Sequence, residues 1–141
     1  MEQNSVCPEG TLCPPQGAGV QTINVVVAQG LQNVTVTRDR LQPGAGLEGY
    51  ASGQLAILQQ KCREFNLIEK SAFTGAPAFP NVLKMIFTFL AAPDVTVWQY
   101  LLVAQKDDEN AMLFTSIYAS QQMMESESPR IDFCVNNFKL A

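Results

Sequence analysis

Apolar positions fall on both sides of one stretch of the chain, residues 92–106, and the other elements are arranged around it. Val97, Leu101 and Val103 point one way, and Trp98, Tyr100 and Leu102 point the other. An amide, Gln99, sits in the middle of the first set. Successive side chains of a strand face opposite sides, and a half-solvated strand alternates apolar with polar. Here both faces are apolar, so the pattern predicts a central strand of an antiparallel sheet. Both faces then need cover. One cover is expected to be a helix of the chain itself, and the identity of the other is the functional question.

Upstream, residues 22–28 are β-branched and predict a strand with Ile23, Val25 and Val27 on one face and Asn24 and Val26 on the other. After a turn at Gln29-Gly30, residues 33–38 return as the second strand of a hairpin, with Val34 and Val36 opposite Thr35 and Thr37. Residues 47–64 predict a helix. At about 100° per residue, Leu47, Tyr50, Ala51, Leu55, Leu58, Cys62 and Phe65 fall on one arc. Two polar residues interrupt that arc from inside. Lys61 is long enough to carry its ammonium to water; Gln54 is shorter and sits near the middle of the stripe.

Strands are predicted at 66–73, 82–90 and 111–119, with a proline-bearing loop at 75–80, a turn at Pro93-Asp94 and a charged loop at 106–110. The strand at 82–90 has Leu83, Met85, Phe87 and Phe89 on one face and Val82, Ile86 and Leu90 on the other. From Gln121 a last helix is predicted, with Ile131, Cys134 and Phe138 at helical spacing. The order is two strands, a helix, four strands and a helix, joined mostly by short hairpins. Parallel pairing needs long crossovers, so this order predicts an α+β single domain: a mostly antiparallel twisted sheet flanked by two main helices. Residues 1–19, rich in Pro and Gly, read as a loosely ordered arm with a short strand near residues 11–13, and residues 20–141 as the domain.

A length of 141 residues is enough for one core. The 16% charged share is below the usual ~25%, while 47% of residues are hydrophobic, so some apolar surface should remain uncovered. A net charge of −4 without a Lys/Arg run argues against nucleic acid as a partner. The absence of histidine removes the commonest general base and metal ligand. The remaining chemistry is thin. The acidic turn at 107–109 lacks the glycine spacing of a calcium loop. Residues 43–46 precede a helix but lack the lysine of a phosphate loop and the dinucleotide fingerprint. Cys13 and Ser52 have no histidine to activate them. No enzyme activity, metal or cofactor is expected.

Four cysteines occur without a C-x2-C pair. They read as reduced thiols, with Cys62 and Cys134 buried on helices as small hydrophobes; a Cys7–Cys13 disulfide is the alternative and requires an oxidising compartment. No apolar run approaches the ~20 residues of a membrane span, and no basic segment followed by an apolar run marks a leader. A cytoplasmic protein that does not insert into membranes is expected.

What remains is an apolar surface carrying two misplaced amides, Gln54 and Gln99. A buried amide without partners costs about 1–3 kcal/mol. Each glutamine must therefore bond nearby backbone or water, or a client lodged on the sheet.

The runs TINVVVA, VTVTRDRL, LEGYASGQLAIL and VTVWQYLLVAQ, in that order, resemble the DcrB-like domain, and within it most closely the Eag chaperones of type VI secretion. The resemblance covers about residues 9–140. It implies an αβα sandwich of the kind also seen in photosystem-associated (PsbP) and nuclear-transport proteins. It also implies a non-enzymatic function, holding the N-terminal hydrophobic, transmembrane-type helices of a secreted effector, commonly as a homodimer. Carried over by position, Ile23 and Val25 match the family's paired apolar groove residues, and Gln54 and Gln99 match two groove glutamines. Val97 and Leu101, flanking Gln99, complete the client surface expected here. The segment around Cys7, Cys13 and Pro14-Pro15 departs from the family's usual start, which carries an apolar strand and a tryptophan. The alternative is a general adaptor of the same fold, binding through the loops at 106–110 or 77–80 or through sheet edges.

Overall fold

A computed structural model describes residues 5–141. Its centre is a six-stranded sheet in the order β3-β4-β8-β7-β6-β5, with every neighbouring pair antiparallel. The strands are β3 (Asn24–Val26), β4 (Val34–Arg40), β5 (Arg63–Phe73), β6 (Asn81–Ala92), β7 (Val95–Gln105) and β8 (Asn110–Tyr118). The doubly apolar stretch is β7, an interior strand paired along its length with β6 and β8. Three helices complete the domain: α1 (Gly46–Lys61), α2 (Gln121–Glu127) and α3 (Pro129–Asn136). The α+β architecture expected from the hairpin connections is the one observed.

Each face of the sheet has its own core. On one face Tyr100, Leu102 and Ala104 of β7 join Val82 and Ile86 of β6, Val34 and Val36 of β4, and Phe114 of β8. Met124, Ile131 and Val135 of α2 and α3 close over them. On the other face Leu101 and Val103 join Leu83, Met85 and Phe87 beneath Ala51 of α1. Period-two alternation along β7 therefore feeds two separate cores. Residue type follows: the large fully buried side chains, among them Tyr118, Phe87, Met85 and Leu102, point into one layer or the other.

Several boundaries differ from the sequence expectation. The first helix stops at Lys61 rather than residue 64, because Cys62 is already extended (φ −97°, ψ 135°) and Glu64 takes φ 50°. The apolar spacing of Cys62 and Phe65 fits a helix, but here it serves a turn onto the sheet edge, where Phe65 packs 5.3 Å from Phe87 between ring centroids. The last helix is two helices. Ser120 caps α2 by accepting from Met123 N, and the chain re-starts at Pro129, which lacks the N–H that a continuous helix needs there but suits a first turn. Cys62 is a half-buried cap residue rather than a buried helical one, and Cys134 is half-buried on α3.

The N-terminal arm contains a separate two-stranded hairpin, β1 (Ser5–Cys7) with β2 (Gly10–Leu12), where only a loose segment with one short strand is expected. Its register sets Cys7 against Gly10, while Cys13 follows Leu12, whose partner is Ser5; both thiols are free and no Cys7–Cys13 bond forms. Among the described residues no helix is long and apolar enough to cross a membrane.

Candidate functional site

The α1 face of the sheet is covered over only part of its width. Register places its side chains in rows. One row runs Val25, Thr35, Thr115, Leu101, Met85, from the β3 edge toward β6; the next runs Ile117, Gln99, Phe87. Leu101 and Met85 are buried, at 6% and 0% exposure, whereas Val25 is 50% exposed. Ile23, 54% exposed, precedes Val25 on the same face and lines a hollow with Thr37 and Asp39. The uncovered strip thus spans β3, β4 and β8 and the lower half of β7, where Val95 and Ile117 are 47% and 45% exposed.

The reason is where α1 docks. Glu48 on one flank of the helix pairs with Lys70 of edge strand β5 at 2.7 Å. On the opposite flank the Tyr50 hydroxyl donates to Asp39 Oδ2 of β4 at 2.7 Å. Burial, and the bond to Asp39, push the Tyr50 phenol far above its ordinary value, so it stays a neutral donor. These two anchors lay α1 over β5 and β6 and turn the Tyr50 flank toward the open strip. Gln54 lies one turn beyond Tyr50 on that flank, and Ile57, 44% exposed, lies a further turn on. Gln54 therefore reaches the groove as part of its helical wall and not from the middle of the buried stripe. It is half-buried.

Gln99 lies on the floor, half-buried. Its Nε2 donates to Thr115 Oγ1 at 2.9 Å, and Thr115 Oγ1 donates to the Tyr100 carbonyl at 2.8 Å. A hydroxyl has one proton. Since Thr115 gives its proton to a carbonyl, it can only accept from Gln99, and this fixes the orientation of the amide. One N–H of Gln99 is used locally, while its carbonyl Oε1 and second N–H have no protein partner among the described residues. The local hydrogen bond expected for this amide is met at one of its three groups, and the other two are left to water or to a client.

Of the six residues expected to meet a client, Ile23, Val25, Val97 and Gln99 lie on the α1 face of the sheet outside its buried core, and Gln54 lies on the Tyr50 flank of α1. Leu101 is a correction. It shares the face but lies under α1 in the core, so it supports the groove from below. Ile117, beside Gln99 in register, and the hydroxyls of Thr35, Thr37 and Thr115 are floor positions outside the expected set. The alternation Leu113, Thr115, Ile117 along β8 carries that signal in the sequence. Among the described residues no group of acidic, Cys or His side chains could hold a metal.

Comparison with known proteins adds the following. The DcrB family matches residues 9–137. Among solved structures, a protein of unknown function from Pseudomonas aeruginosa, PA94, described as a putative regulator, aligns with a TM-score of 0.69 at 13% identity, covering 99% of this chain and 97% of that one. Cyanobacterial PsbP (CyanoP) from Synechocystis sp. PCC 6803 aligns with a TM-score of 0.50 at 13% identity, covering 95% of this chain and 88% of that one. At such identity these likenesses show the fold alone, a PsbP-like α+β domain. No curated protein matches the sequence.

Proposed function

The chain belongs to the DcrB family, and from that premise we propose that it is a cytoplasmic, non-enzymatic chaperone of the Eag type, holding the N-terminal hydrophobic helices of a type VI secretion effector in the groove beside α1. The observation that carries this reading is the half-covered sheet face. Ile23 and Val25 stand exposed on one side, Gln54 and Ile57 on the other, and Gln99 offers an unpaired carbonyl between them.

The dimensions support it. From β3 to β7 is three strand steps, about 14 Å at ~4.8 Å each. A helix with side chains is about 10–12 Å across. One uncovered strip therefore accommodates one helix, and a homodimer would offer two. A transmembrane-type helix of ~20 apolar residues aggregates in water; burying it here removes apolar surface worth about 25 cal/mol per Å². Polar atoms on such a helix find the Gln99 carbonyl, the Gln54 amide and the threonine hydroxyls, much as polar side chains join helices in a bilayer. A small, fixed set of donors and acceptors in an apolar groove also favours clients whose polar atoms are matched to it.

The test is co-expression with an effector fragment containing its hydrophobic helices. The wild-type chain should keep that fragment soluble and co-purify with it in fixed stoichiometry. An Ile23→Asp, Gln99→Ala variant should lose it while remaining folded. If that variant retains the fragment, and changes in the loops at 77–80 or 106–110 release it, the protein is instead an adaptor working through its loops.

A further inference from the structure

The second uncovered surface lies on the opposite side of the sheet, where α2 and α3 stop short of edge strand β3. Two adjoining hollows of about 440 and 420 Å³ meet there and share Val26, Phe133 and Cys134. Their floor is sheet core: Val34 and Val36 of β4 and Phe114 of β8. Phe133 of α3 stands 67% exposed over the slot and Val26 42% exposed beneath it. The slot runs beside β3, whose outer edge has no strand partner among the described residues.

Charge is distributed along it in a definite way. The chain carries a net −4, yet the slot is lined by three cations and no carboxylate. Arg38 and Lys139 stand at the Asn24 end, and Arg130 at the Ala28 end. Among the described residues the Arg38 guanidinium donates only to the neutral carbonyls of Thr22 and Val36. Lys139 forms no ion pair among the described residues. Arg130 is partly compensated by Glu127 at 3.7 Å and donates to the Gln32 carbonyl. An apolar centre thus has positive charge at both ends.

We infer that this slot and the β3 edge together bind an extended peptide segment of a partner protein, added as a strand to β3, with an apolar side chain over Val26 and an acidic side chain two positions to either side. Strand addition gives the edge N–H and C=O groups partners, and alternate side chains then enter one pocket line. The spacing fits: residues i, i+2 and i+4 of a strand share a face and span about 13 Å, the reach from Asn24 to Ala28. A fatty acid would place one anionic head at one end and leave the other cationic end unanswered. A second copy of this chain is disfavoured as well, because a two-fold pairing of β3 with itself lays the Arg38 end of one chain against the Arg130 end of the other. The site is on the opposite face from the groove beside α1 and does not depend on the function proposed for it.

The probe is a fluorescently labelled peptide of about nine residues with a central valine, a glutamate two positions to either side and threonine between. Titrated with the full chain and followed by anisotropy, it should bind saturably and slow exchange of those amides of Asn24–Val26 that face the free edge. Phe133→Asp and Arg38→Glu should each weaken binding by about tenfold or more, and exchanging the glutamate nearest Arg38 for lysine should restore affinity to Arg38→Glu. Both substitutions are on the surface, and unchanged circular dichroism confirms the fold. Gln99→Ala should leave the peptide bound, which separates failure here from failure of the α1-face groove. Equal affinity for glutamate and lysine peptides overturns the inference. So does laurate binding with the same sensitivity to Phe133→Asp, which assigns the slot to an anionic amphiphile, or a dimer that dissociates on Phe133→Asp, which assigns it to a second copy.

Discussion

The even-numbered and odd-numbered positions of β7 belong to the same strand and are both largely apolar, yet the two sheet faces they belong to meet different fates. Tyr100, Leu102 and Ala104 are sealed under α2 and α3 at 3%, 0% and 0% exposure. Leu101 and Val103 are as deeply buried on the other face, and below them both sets open alike, Trp98 half-buried and Thr96 exposed beside Gln99, Val97 and Val95. The faces part at β4 and β8, where Val34, Val36 and Phe114 are buried on one side while Thr35, Thr37 and Thr115 are only half-buried and Ile117 is 45% exposed on the other. The difference is in the covering layer and not in the strand. Two short helices with a break between them lie over the middle of one face, whereas a single helix pinned at Glu48–Lys70 and Tyr50–Asp39 covers only one side of the other. The sealed face is expected to carry stability, and the open half of the α1 face is expected to carry binding.

The largest effect follows on the sealed side. Leu102 is fully buried among side chains from both layers. Leu102→Ala should lower unfolding free energy by about 2–5 kcal/mol in urea denaturation, since the packed neighbours cannot close the cavity completely. A loss below ~1 kcal/mol would mean that this face is looser than its burial implies and would remove the contrast.

Two tyrosines sharpen the same side. The Tyr100 hydroxyl donates to Asp132 of α3, tying helix to sheet. Tyr118 is just as buried, but its hydroxyl has no partner among the described residues; the neighbouring Ser116 donates to the Asn33 carbonyl. Burial pushes both phenols up from their ordinary value, so both are neutral donors at working pH. Tyr100→Phe should cost about 1–1.5 kcal/mol, whereas Tyr118→Phe should be neutral or stabilising by up to ~1 kcal/mol, because it removes an unmet donor. Equal losses in the two variants would show that Tyr118 is satisfied after all, by water for instance.

Much of this was legible in the sequence. Period two assigns Ile23, Val25, Val97 and Gln99 to faces before any coordinates are known, and hairpin spacing gives the antiparallel order. Less legible is anything that depends on how far a helix reaches. Periodicity tells that Leu101 and Val97 share a face; it cannot tell that α1 covers the first and leaves the second half open. For the same reason Gln54 reads as buried within an apolar arc, when docking turns its flank to the groove. The break at Ser128-Pro129 had a local signal in the proline, but the helical spacing of Ile131 and Cys134 on either side of one turn is compatible with one helix or two. The slot beside Phe133 has no local signal at all, since it arises from where α3 ends relative to β3.

The open half of the α1 face is tested by substitutions that should barely affect folding. Val25→Ser and Ile117→Ser, each at a side chain about half exposed, should change stability by ~0.5 kcal/mol or less. Retention of the effector fragment should nevertheless fall, and more in the double variant than in either single one. A loss of stability comparable to that of Leu102→Ala would show that this half is core in solution, covered by something the free chain supplies.

The smallest effect lies at the margin of the sealed face, beyond the reach of α2 and α3. There Glu69 of β5 accepts from Ser71 Oγ at 2.8 Å and meets Lys84 Nζ at 3.2 Å. The Ser71 hydrogen bond, helped by Lys84, holds the Glu69 carboxyl below its ordinary value. A carboxyl whose pKa is lowered on folding contributes stability that is present above its unfolded value, about 4.3, and is lost as pH falls through its folded one. The glutamate side chain is 42% exposed, so solvent screens the pair, and the contribution should be only a few tenths of a kcal/mol, about the size of a surface ion pair. Comparing Glu69→Gln with wild type from pH 7 down to about pH 3 isolates it: the wild-type advantage should shrink as Glu69 protonates. A difference that stays constant across that range would assign the role of Glu69 to shape and hydrogen bonding rather than charge. The edge of the sealed face would then be held, like its centre, by packing and hydrogen bonds.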